Sequence, residues 1–148
     1  MRMIGLVLAV VTTLAQNSTL PPKNGVMDRE WVLKFANDWI DSWNSHDMNR
    51  ILSHYTEDFE MTSPLIVERL GKTDGVLKGK AAVREYWQPG LIQNPPLRFE
   101  LIDVLAGVGQ ATIYYRSVGR KVVAETLFFD ASGKVNRAGA QWSLMRSE

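Results

Sequence analysis

From Asp28 onward the apolar residues Val32, Phe35, Ala36, Trp39, Ile40 and Trp43 recur at i, i+3, i+4, i+7, i+8 and i+11. That spacing predicts an amphipathic helix with a wide aromatic stripe. Asn44-Ser45-His46 breaks the run, and Asp47 is placed to cap a second, shorter helix carrying Met48, Ile51, Leu52 and Tyr55. The period then changes from 3.6 to 2. Phe59, Met61 and Ser63 alternate with Glu60 and Thr62, a strand that Pro64 is expected to end. Leu65 to Leu77, with Gly71 and Thr73-Asp74-Gly75, reads as a long mobile connection. Gly79 opens a further helix with Val83, Tyr86, Trp87 and Leu91 on one side, expected to end or kink near Gln88 because Pro89 follows.

The remainder predicts a meander. Leu97, Phe99, Leu101 and Asp103 alternate with Arg98, Glu100 and Ile102; Gly107-Val108-Gly109 turns the chain; Ala111 to Val118 returns. Gly119-Arg120 is read as a two-residue hairpin turn leading into Lys121 to Phe129, and Asp130-Ala131-Ser132-Gly133 leads into a last strand from Lys134 to Met145. Helices first and strands afterwards indicate one α+β domain.

A two-residue turn has a consequence for chemistry. It sets Tyr114 opposite Glu125, with Arg116 facing Val123 and Thr112 facing Leu127 on the same side of the sheet. Glu125 is then an acid in an apolar row with Val123, Leu127 and Phe129, where burial raises a carboxyl pKa into the range useful for proton transfer. On this register Ile113 and Tyr115 belong to the outer face.

Composition narrows the rest. With 148 residues and 45% hydrophobic content the chain has enough for one core. Seventeen basic against 16 acidic residues, without a basic run, point away from nucleic acid. Zero cysteines exclude disulfides, thiolate metal sites and cysteine nucleophiles. His46 and His54 lack metal-ligand spacing and read as a turn residue and a surface or core histidine; Glu57, Asp58 and Glu60 read as a solvated edge. No metal and no cofactor is expected. MRMIGLVLAVVTTLAQ has the pattern of a secretory signal, Arg2 before an apolar run and Thr13-x-Ala15 after it, and the run is too short to span a bilayer. Residues 1–26 are therefore read as signal peptide and flexible linker and 27–148 as the domain, secreted or periplasmic if the signal is real and otherwise cytoplasmic. A start at Met27 is the alternative.

WNSHD (43–47), HYTEDFEMTSP (54–64), LKGKAAVREYW (77–87), LRFELIDVLAGV (97–108) and AETLFFDASGKVNRAGAQWS (124–143) resemble the SnoaL-like branch of the nuclear transport factor 2-like superfamily. The resemblance implies N-terminal helices packed in the concave face of a strongly curved antiparallel sheet, with an apolar pocket at the open end of the cone. Members include isomerases, cyclases, dehydratases, epoxide hydrolases and proteins without catalysis, so the fold does not choose an activity. Similarity to the ketosteroid isomerases puts Glu125 where those enzymes hold an oxyanion-binding acid and Trp142 at a pocket aromatic. Their general-base aspartate corresponds to Ser63 and their first-helix tyrosine to Trp39. Closer relatives read Ala-His-Tyr where this chain has Ala140-Gln141-Trp142, and Gln141 orients a ligand without relaying a proton.

These residues lead to a small-molecule pocket protein. In the enzyme reading, a cofactor-independent isomerase, cyclase or dehydratase, Glu125 and Tyr114 carry acid/base chemistry. Trp39, Phe59, Met61, Ser63, Trp87, Gln141 and Trp142 would hold a hydrophobic ligand. A non-catalytic ligand-binding domain, or a dimeric interaction domain that buries Ile113 and Tyr115 of the outer sheet face against a partner, is the alternative, and a homodimer is the expected assembly.

Overall fold

A computed structural model describes residues 25–145; the signal-peptide reading falls outside them. Helix α1, Arg29–Asn44, begins where Asp28 accepts a hydrogen bond from the Trp31 amide at 2.8 Å, and it buries Val32, Ala36, Trp39, Ile40 and Trp43. Helix α2, Met48–Leu52, is capped by Asp47, whose carboxylate accepts from the amides of Asn49 (2.9 Å) and Arg50 (3.1 Å). The helix stops before Tyr55, which opens strand β1, Tyr55–Thr62. Apolar spacing alone had assigned Tyr55 to the helix, but burial against the sheet decides its conformation.

Pro64 ends β1 by starting a helix. Ser63 accepts from the Leu65 amide at 3.2 Å as N-cap, Pro64 occupies the first turn, where its missing N–H costs nothing, and α3 runs Pro64–Leu70 to a left-handed Gly71. The supposed loop is thus α3, a turn and β2, Val76–Lys78, which pairs antiparallel with β1. Helix α4, Lys80–Leu91, contains Pro89 and continues past it. In the last turn a proline forfeits only one helical hydrogen bond, so the expected break at Gln88 does not occur.

Strands β3 (Glu100–Ala106), β4 (Gln110–Arg116), β5 (Val122–Phe129) and β6 (Val135–Trp142) complete a six-stranded sheet in the order β2-β1-β6-β5-β4-β3. The sheet is mixed, because β1 lies parallel to β6 while the other pairs are antiparallel. Alternation along a strand reports its faces but not the direction of a partner 70 residues away, so sequence pattern could not give this pairing. Register shifts at Tyr55/Glu60, Leu101/Asp103 and Phe128/Phe129 bend the sheet.

In a flat sheet three strand spacings would separate β1 from β4 by about 14 Å. Yet a single buried side chain of α1 bridges them. The Trp39 indole donates to the Tyr55 hydroxyl of β1 at 2.8 Å and packs on Tyr115 of β4 with ring centroids 5.4 Å apart. The helix therefore sits in a concave face, and Trp39, Tyr55, Phe59, Trp87 and Phe99 form a continuous aromatic core around it. Val26 bridges Val108, and Met27 is buried beside Val32 and Ala111, tying the segment before α1 to the β3–β4 turn. Among the described residues no helix is long and apolar enough to cross a membrane.

Candidate functional site

The β4–β5 connection decides which side chains reach the interior. Ser117 donates its amide to the Lys121 carbonyl at 2.7 Å, so three residues, Val118, Gly119 and Arg120, lie outside the ladder. Gly119 and Arg120 take left-handed conformations (φ 68° and 60°) to close the turn. An odd loop moves the register by one from the two-residue reading. Ile113 faces Glu125 and Tyr115 faces Val123, while Tyr114 faces Ala124. Tyr114 therefore points to the outer side and is 37% exposed, whereas Tyr115 (4%) and Ile113 (0%) are interior. The pairing of Tyr114 with Glu125 is corrected accordingly, as is the outer-face assignment of Ile113 and Tyr115.

Glu125, 4% exposed, borders a cavity of about 390 Å³ at the open end of the sheet. Its Oε2 accepts the Tyr115 hydroxyl at 3.0 Å. Burial pushes the Glu125 carboxyl up from 4.5 to about 7, against the lowering effect of that hydrogen bond. Burial first, and then the charge of Glu125, hold the Tyr115 hydroxyl well above the usual phenol range, so Tyr115 stays a donor.

The other expected ligand contacts divide. Met61, Ser63, Trp87 and Trp142 border the cavity; Trp39 and Phe59 are fully buried behind its wall; Gln141 faces outward opposite Ala124, its amide donating to the Gly139 carbonyl at 3.1 Å. On β6 the residues that share the Glu125 face and border the cavity are Ala140 and Trp142. Residues that sequence reasoning did not place here include Trp43, Phe99, Tyr115, Arg69 and Lys121.

Asn44 and His46, read as a mere helix break, position part of this wall. The Asn44 side chain donates to the Phe99 carbonyl (2.9 Å) and accepts the Phe99 amide (2.7 Å), mimicking a strand partner, while His46 Nε2 donates to the Leu97 carbonyl at 2.7 Å. Leu97 and Phe99 both border the cavity. His54 lies elsewhere, buried under α1, with its ring nitrogens facing Asp38 (2.9 Å) and the Ile51 carbonyl (3.1 Å). Among the described residues no group of three or more His, Cys, Asp or Glu side chains could hold a metal.

The chemistry open to this arrangement is proton donation or acceptance by one carboxyl in an apolar enclosure, aided by a fixed phenol. The SnoaL-like domain pattern matches residues 36–145. A SnoaL-like protein of unknown function from Burkholderia thailandensis is 40% identical, covering 78% of this chain and 97% of its own, with a TM-score of 0.76. An NTF2-like protein of unknown function from Cytophaga hutchinsonii shares 8% identity over 76% of this chain and 89% of its own (TM-score 0.60). The epoxide hydrolase/cyclase-like enzyme SalBIII of pyran ring formation in the polyether salinomycin shares 18% over 79% and 94% (TM-score 0.60), so these last two likenesses bear on the fold alone. Among curated proteins none matches. The sequence match over residues 36–145 and the 40% identical relative make this chain a member of the SnoaL-like domain family, and its helix-filled mixed sheet is shared with the NTF2-like fold.

Proposed function

We propose that this protein binds a small hydrophobic molecule in the cavity bordered by Glu125 and transforms it without a cofactor, by isomerisation, cyclisation or dehydration. The observation that carries the reading is a buried carboxyl at a cavity wall, pushed up by its burial to about 7 and hydrogen-bonded by the Tyr115 hydroxyl. An enclosure of about 390 Å³ lies in the range of small-molecule sites. Isomerisation returns to the substrate the proton it removes, and dehydration gives one proton to the departing hydroxyl and takes one from the neighbouring carbon. Either cycle leaves a single carboxyl as it began. The cyclase-like activity in the name of a structural relative belongs to the same class.

Binding without turnover is the second reading, favoured by Ser63 and Trp39 standing where the ketosteroid isomerases carry a base and a tyrosine. Deuterium exchange separates the two. Incubated in D2O with a panel of cyclic ketones and enones, the parent protein is expected to label carbons next to the carbonyl, and Glu125→Gln to lose labelling by about 100-fold or more while still binding. Equal labelling by both proteins overturns a catalytic Glu125; bound ketones without labelling by either establish the binding reading.

A further inference from the structure

Charged side chains at the cavity are few and sorted by depth. Glu125 is buried, whereas Arg69, from the last turn of α3, and Lys121, at the start of the β5 arm, are exposed. Two separate elements thus bring positive charge to the outer part of one apolar enclosure. Among the described residues neither cation is within ion-pair distance of a carboxylate, unlike Arg50, Lys78, Lys80 and Arg116, each of which has one. Glu68, next to Arg69 in sequence, is not among the residues bordering the cavity. The Lys121 ammonium lies 5.6 Å from the centroid of the Trp142 ring, and the Trp142 indole N–H is buried with no hydrogen-bond partner among the described residues. A buried donor without an acceptor is a cost to the fold. Cations on low-dielectric walls concentrate the field where an anion would enter.

We propose that the ligand is an amphiphilic organic acid: an apolar body fills the cavity towards Glu125, and a carboxylate at its outer end is held by Arg69 and Lys121. This rests on the reading of the cavity as the functional site and adds the headgroup to it. The acid is bound by charge at the rim and by apolar contact with Phe99, Met61 and Trp87 inside, so the two contributions are separable by experiment.

Titrations following tryptophan fluorescence, with calorimetry as a check, would compare 4-phenylbutyrate, octanoate and decanoate with their primary amides, in parent protein and in Arg69→Gln/Lys121→Gln. Both substitutions are at exposed positions, and melting curves confirm that the fold is kept. The expected result is that the acids bind the parent about tenfold or more tighter than the amides, and that this advantage falls below about threefold in the double variant and in 0.5 M salt. Equal binding of acid and amide, or an advantage that survives the double variant, overturns the carboxylate assignment. Amide binding as tight as that of the acids, together with Glu125-dependent deuterium labelling, would do so while leaving the proposed function standing. No binding of any probe by the parent overturns both.

Discussion

Two adjacent tyrosines show how much hangs on one residue of register. Tyr115 reaches Glu125 and Tyr114 reaches solvent, although both are aromatic and either suits a strand. Tyr115→Phe deprives the buried carboxyl of its hydrogen bond, so unfolding in urea is expected to show a loss of about 1–3 kcal/mol. The same change removes the interaction that lowers the Glu125 pKa, and its carboxyl carbon should titrate above its parent midpoint by NMR. Tyr114→Phe is expected to stay within about 0.5 kcal/mol of the parent and to leave that midpoint in place. Reversed outcomes would mean that the ladder is offset by one. Glu125 itself was legible in the sequence, because an acid among Val123, Leu127 and Phe129 shares their face whatever the partner strand does. Its partner was not, since that depends on the length of the loop.

At the scale of elements the helices α1 and α2 follow from local information: apolar spacing and the aspartates at 28 and 47. Ser63-Pro64 carried an equally local signal, a cap followed by a first-turn proline, that strand alternation up to Ser63 obscured. The hairpin is different. Gly119-Arg120 fits a two-residue turn, but the chain closes through a left-handed arginine with Val118 added to the loop. A non-glycine residue in that conformation costs on the order of 1 kcal/mol, so Arg120→Gly is expected to raise stability by about that amount in thermal melts. A loss of stability would show that Arg120 contributes contacts beyond its backbone. The left-handed conformation arises because Lys121 must return its carbonyl to the Ser117 amide while Val123, Glu125 and Leu127 stay inside.

For the molecule as a whole, the raised carboxyl of Glu125 links folding to pH. In the unfolded chain the group ionises near 4.5, in the folded protein near 7. Below pH 4.5 both states are protonated; as pH rises from there the unfolded state loses its proton first, and the folded state is progressively disfavoured until it too ionises. The integrated effect is on the order of 3 kcal/mol, complete above about pH 8. Melting curves of the parent should fall relative to those of Glu125→Gln between pH 5 and 8, and a constant difference across that window would exclude a neutral buried Glu125. What the sequence determined by itself was the helices α1, α2 and α4, the inward faces of α1, β1 and β5, and an acid within an apolar row, all set by spacing and caps within a few residues. Only tertiary structure decided that β1 runs parallel to β6, that Trp39 and Phe59 are sealed behind the wall, and that Arg69 and Lys121 border the same cavity. Those outcomes depend on pairing between distant strands and on how far the sheet bends around α1, energies that no local window of residues contains.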